Sequence, residues 1–125
     1  MEWRLKAIRG ATTASANTEE AISVAVRELL EELDSRNRLD PDSIVSVTFS
    51  ATKDLDAVFP AAIARRYRPD WHSVALMDVQ QMHVQGSLPR CIRFLIHAHL
   101  PIDTLIHHPY LRGAKNLRPD RSLVG

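Results

Sequence analysis

Only one of the 125 residues is a cysteine, Cys91. No disulfide can close within the chain, and a reducing compartment is expected. Glycine is also scarce, at four positions, and neither a G-x-G-x-x-G turn nor a G-x-x-x-x-G-K-S/T loop occurs. The usual cradles for nucleotide phosphates are therefore missing. No apolar run approaches the ~18 residues of a membrane-spanning helix. Met1-Glu2-Trp3-Arg4 passes straight into a strand pattern, so no secretory leader is expected either. Charge of one sign is missing too: 16 basic and 15 acidic side chains leave a formal net charge of +1, without the basic excess of a nucleic-acid binder. Together these absences predict one cytoplasmic domain over residues 1–125, with no membrane or nucleic-acid partner. A chain of this length can bury ~65–70 % of its unfolded surface.

Chemical motifs are thin as well. Of the six histidines, His97 and His99 share a strand face and His107-His108 follow. No cysteine pair or H-E-x-x-H spacing accompanies them, and no metal site is predicted. Cys91 lies in a regular strand without a glycine elbow, as a packed thiol does. No serine occupies a strand–turn–helix elbow.

What is present is hydrophobic periodicity with a few misplaced charges. Trp3–Thr13 alternates as a strand. Thr18-Glu19-Glu20 opens a helix, with Asn17 as the expected cap and Glu20 in capping-box position. Ile22, Val26, Leu29, Leu30 and Leu33 continue it at helical spacing to about Arg36. Val45, Val47, Phe49 and Ala51 alternate as a second strand, Pro60 starts a short helix, and Trp71–Val79 reads as a third strand. The densest information lies in 78–94, where a polar turn leads into a fourth strand, Cys91–Leu100. There Ile92, Phe94, Ile96, Ala98 and Leu100 share one face and Arg93 the other. Leu105–Leu111 is a short extended run containing Tyr110, and residues 112–125 form an expected mobile tail.

Three charges interrupt apolar rows: Arg9 and Asp78 each close one, and Arg93 opens a third. A charge in such a row is costly to desolvate unless it is paired. The three are therefore expected to converge on an anion-binding pocket at one end of a sheet. Arginines without an evident nucleophile, base or cofactor leave two chemistries open: simple anion binding, or catalysis by positioning and charge stabilisation alone.

Several segments, in order, resemble the monofunctional chorismate mutases of the trimeric AroH class. They are Ile8-Arg9-Gly10-Ala11-Thr12-Thr13, Thr18-Glu19-Glu20, Ser50-Ala51-Thr52 with Asp54-Leu55, Ala57-Val58-Phe59-Pro60-Ala61, Arg90-Cys91-Ile92-Arg93, Tyr110-Leu111 and Leu117-Arg118-Pro119-Asp120. The resemblance implies an α+β subunit, a mixed β-sheet with helices on one side, assembled into a homotrimer with a barrel-like core. It implies a cofactor-free rearrangement of chorismate to prephenate, on the way to phenylalanine and tyrosine. By the same resemblance Arg93 meets the ether oxygen, Arg9 a substrate carboxylate, and Tyr110 the same end of the substrate. Phe59, Ala61 and Arg65 arrive from the neighbouring subunit, and Leu117 and Arg118 from the tail. Gln81 stands where the family has a glutamate, and Ala62 where it often has a lysine. Asp78, where the family is commonly uncharged, is expected to supply the displaced negative charge beside Arg93, with Gln81 accepting the substrate hydroxyl. Two other readings fit the same arginines: a trimeric imine deaminase of the Rid type and a non-catalytic dicarboxylate-binding trimer.

Overall fold

The computed structural model describes residues 2–118. Four strands form one mixed sheet: β1 (Trp3–Thr13), β2 (Ile44–Ala51), β3 (Ala75–Gln80) and β4 (Cys91–Pro101), in the order β1-β4-β2-β3. The β1/β4 and β4/β2 pairs are antiparallel and β2/β3 is parallel. The crossover between the parallel strands contains α2 (Pro60–Tyr67), as parallel pairing requires. The longer helix, α1 (Glu19–Arg36), precedes β2 and packs on the same face of the sheet as α2.

Helix α1 forms because six apolar side chains, Ile22, Ala25, Val26, Leu29, Leu30 and Leu33, fall on one stripe and are all buried. Its cap is Thr18, whose hydroxyl accepts the Ala21 N–H at 3.1 Å. The expected cap, Asn17, instead reaches across the fold: its amide donates to Asp56 at 2.7 Å and accepts the Asp56 N–H at 3.0 Å. At the other end Asn37 stops the helix and takes hold of both backbone groups of His107.

Two strand boundaries differ from expectation. Trp71 lies in a 3-10 turn (Pro69–Trp71), buried to 1 % exposure, and β3 begins only at Ala75. The turn follows from Pro69, which favours a first helical position, and Arg68 stacks over the indole 5.1 Å from its centre. In β2 a register shift between Ile44 and Ser46 turns Val45 outward, and Ile44 takes the core position. A bulge inserts one residue and so changes the face of everything before it.

The core lies between the helices and the inner rows of β1, β2 and β4, namely Ile8, Val47, Phe49, Ile92, Phe94, Ile96, Ala98 and Leu100, with Leu76 of β3 partly buried against it. Phe49 and Phe94 meet edge to face, with ring centres 6.4 Å apart. The Phe94 ring covers the backbone of Gly10, where a β-carbon would lie 2.4 Å from the ring. Among the described residues the opposite face of the sheet carries no helix, and Trp3, Leu5, Met77, Val79 and Leu95 are exposed on it.

The extended run before Leu111 forms no strand of its own among the described residues and joins the sheet through one isolated parallel bridge between Tyr110 and Ala11. Arg112–Asn116 follows as a 3-10 turn with Ala114 fully buried. Arg112, at φ +52°, anchors that turn through a two-pronged pair with Glu28 at 2.8 and 3.0 Å. The rest of the expected tail, 119–125, lies outside the described residues.

Candidate active site

Strand register decides which charges meet. Ala11 and Ser50 each pair with Arg93, and Arg9 pairs with Leu95. Directly paired residues project to the same side of a sheet, and successive residues alternate. Arg9, Ser50 and Arg93 therefore share the helix-free face. Together with Thr48 and Tyr110 they line a cavity of about 350 Å³. Its position is set by well-held backbone. The Arg9 N–H donates to Nδ1 of His108 at 2.9 Å, and Ala11 exchanges backbone hydrogen bonds with Pro109 and Leu111 at 3.0 and 2.9 Å. Tyr110 is thereby held beside β1, 8 % exposed.

Arg93 is half-buried and donates its Nε–H to Oε1 of Gln81 at 3.1 Å. This contact fixes the guanidinium plane while engaging one of its five N–H donors. Gln81 reaches it because its own N–H donates to Ala51 O at 2.9 Å, which prolongs the β2/β3 pairing by one residue. Beside Arg93, burial pushes the Cys91 thiol up in pKa against the opposing pull of that guanidinium. A buried thiol kept protonated is a packing group and not a nucleophile.

Asp78 lies at the same end of the sheet on the other face. Phe49 pairs with both Asp78 and Phe94, which places Asp78 on the side covered by the helices. The expected meeting of Asp78 with Arg93 does not occur within the chain. Gln81 lies three positions after Asp78, and an odd spacing on an extended strand puts them on opposite faces. Asp78 instead accepts the Ala61 N–H at 3.0 Å. Helix α2 has Phe59 at its N-cap, without a side-chain cap bond, and Pro60 in its first turn, so Asp78 supplies the capping acceptor from β3. Burial raises its pKa, opposed by the Ala61 N–H and the Arg65 guanidinium.

Phe59 is 69 % exposed and forms one wall of a second cavity of about 540 Å³, shared with the 51–58 loop and the end of β3. Arg65 is exposed near Asp78. Ala61 is buried in the core and contributes its backbone N–H. Leu117 packs partly buried against Ala11, Tyr110 and Ala114, and Arg118 is the last described residue. Among the described residues the two cavities share no lining residue.

A tight hydrogen-bonded junction holds the loop that lines the larger cavity. Asp54 accepts from the Thr52 hydroxyl and from the Arg90 N–H, while the Thr52 hydroxyl accepts the Cys91 N–H. Burial alone would raise the Asp54 pKa, but these hydrogen bonds outweigh it and hold the carboxyl low. Arg90 reaches this pose at φ +47°, and its Nε–H donates to Ala14 O at 3.0 Å. Sequence reasoning missed this junction and His108. The Asp54–Arg90 and Arg9–His108 contacts span 36 and 99 residues, beyond any local spacing rule.

Residues 5–121 match the family described as chorismate mutase type I. The chain belongs to that family. It is 40 % identical over 122 residues to the chorismate mutase AroH of Bacillus subtilis, covering 96 % of this chain and 94 % of that protein. It is likewise 40 % identical over 119 residues to the chorismate mutase AroH of Thermus thermophilus, covering 93 % and 95 %. Among solved structures, a chorismate mutase from Clostridium thermocellum superposes with a TM-score of 0.80 at 46 % identity, over 89 % of this chain and 98 % of that one. The mixed α+β sheet expected from the resemblance is the fold observed. Within this type I chain, Arg9, Arg93, Tyr110 and Gln81 are brought together, whereas Asp78, Phe59 and Arg65 form a separate group.

Proposed function

We propose that the chain is a chorismate mutase that rearranges chorismate to prephenate without a cofactor, in the branch leading to phenylalanine and tyrosine. The observation that carries this reading is the Arg93 guanidinium, held by Gln81 in a cavity that also contains Arg9 and Tyr110. In this reaction an ether C–O bond breaks as a C–C bond forms, and no proton moves. Negative charge grows on the ether oxygen, and a fixed cation stabilises it without reorganising. Arg93 takes that position, while Arg9 and the Tyr110 hydroxyl orient a carboxylate and hold the folded conformer. A donor of this kind lowers the barrier by about 3–4 kcal/mol.

The site is completed by a second copy in a homotrimer. Support comes from the exposed Phe59, the exposed apolar residues on the helix-free sheet face, and the division of the substrate-facing residues between two cavities. A neighbour's Phe59 cavity closing over Arg93 excludes water from the breaking bond.

The test is loss of chorismate absorbance with purified protein and no added cofactor, together with light scattering for mass. Turnover that is nearly flat from about pH 6 to 8, by a trimer, is the expected result. Binding without turnover would instead indicate a dicarboxylate-binding trimer. Turnover of an imine with a titrating base would indicate a deaminase, and a monomer that is fully active would remove the shared site.

A further inference from the structure

We propose that Lys53 is a substrate-binding residue of the Phe59 cavity, holding one carboxylate of the substrate dianion, an inference that rests on the chorismate reading above. Among the described residues lining that cavity, Lys53 is the one cation, and it faces a wall made largely of Phe59, Val58, Pro60 and Val79. The acids around it are already engaged. Asp56 accepts from the Asn17 amide at 2.7 Å, and Asp78 accepts the Ala61 N–H with Arg65 nearby. Asp54, next in sequence, is turned onto Thr52 and the Arg90 N–H. Lys53 itself has no hydrogen bond or ion pair among the described residues.

The backbone beneath it is fixed, because the Thr52 N–H donates to Cys91 O and the Leu55 N–H to Thr52 O, both at 3.0 Å. An ammonium on a rigid turn, over an apolar wall and without an internal anion, raises the local concentration of an outside anion. The charge requirement agrees. The substrate carries two carboxylates and develops a third negative centre at its ether oxygen, whereas the Arg93 cavity offers the cations Arg9 and Arg93. With Arg93 given to the ether oxygen and Arg9 to one carboxylate, the second carboxylate is left to the opposing wall, where Arg65 already lies by the Asp78 carboxyl and Lys53 has no internal anion among the described residues. Lysine serves there as a point charge and needs no planar geometry.

The test compares the full chain with Lys53→Gln and Lys53→Arg by steady-state kinetics with chorismate and by calorimetric titration with prephenate, the dicarboxylate product, which the enzyme does not consume. Removing the charge is expected to raise KM and the dissociation constant about five- to tenfold, with kcat within about twofold, and the arginine variant restores both to within about twofold. Added salt weakens binding by the parent chain more steeply than by Lys53→Gln. Unchanged affinity in Lys53→Gln, or equal defects in both variants, overturns the role of Lys53 while leaving the chorismate reading intact. If the parent binds chorismate without turning it over, the proposed reaction falls, and the titration still decides Lys53.

Discussion

Arg93 and Asp78 sit at the same end of one sheet and are both half-buried, yet their surroundings differ in kind. Arg93, on the helix-free face, is steadied by a neutral amide, and no ion pair among the described residues neutralises its positive charge. Asp78, on the covered face, closes the first turn of α2, a helix that brings no capping side chain of its own. A buried charge thus indicates function only once its face is known. On a covered face it is consumed by the fold, and on an open one it remains available.

The strongest challenge to this contrast is Arg93→Ala. We expect kcat to fall at least 10²- to 10³-fold with the unfolding midpoint nearly unchanged, as for loss of one preorganised donor. Stopped-flow or spectrophotometric turnover beside thermal melting would check both parts. Next comes Gly10→Ala, which tests whether the two faces are mechanically joined. The new β-carbon would lie 2.4 Å from the Phe94 ring, which is already braced edge-on by Phe49. Urea unfolding should show a loss of about 2 kcal/mol, with a drop in kcat because Arg93 adjoins the displaced ring.

The smallest effect sharpens the comparison from the other side. Folding raises the Asp78 pKa through burial, so the fold favours the protonated carboxyl. The associated stability is present below the ordinary carboxylate pKa and is lost as pH rises through the folded value. Asp78→Asn keeps an acceptor for Ala61 and carries no charge. It should match the parent or exceed it by up to about 0.5 kcal/mol at pH 7, and the difference should close as the pH is lowered towards 4. Asp78→Ala should lose about 1 kcal/mol, the usual cost of a missing cap. A large loss in the asparagine variant would mean that the negative charge itself is required.

Much of this was legible from alternation. The β4 pattern placed Ile92 and Phe94 inward and Arg93 outward, as observed, and the apolar stripe of α1 defined the helix that covers the core. What failed had physical causes. Grouping Arg9, Asp78 and Arg93 by strand end ignored parity, which the odd spacing from Asp78 to Gln81 already contained. Asn17 and Thr18 are both good caps, and the choice went to Thr18 because Asn17 has tertiary partners 39 and 40 residues away. Val45 alternates correctly in sequence, but a bulge reverses its side. At the site, arginine and tyrosine were readable as residue types. The cavity walls depend on a loop whose course is set by Asp54 and Arg90, and no short motif encodes that.

The short bridge that carries Tyr110 has its own consequence. Both peptide groups of Ala11 that face the edge of β1 are taken up by the 109–111 segment, so the phenol is located by main-chain bonds, whatever side chains surround it. The tyrosine therefore travels with β1 as one rigid piece. Its ring should hold station through substitution at Leu117, which packs against it, and slow deuterium uptake at the Ala11 and Leu111 amides would report that stitching directly.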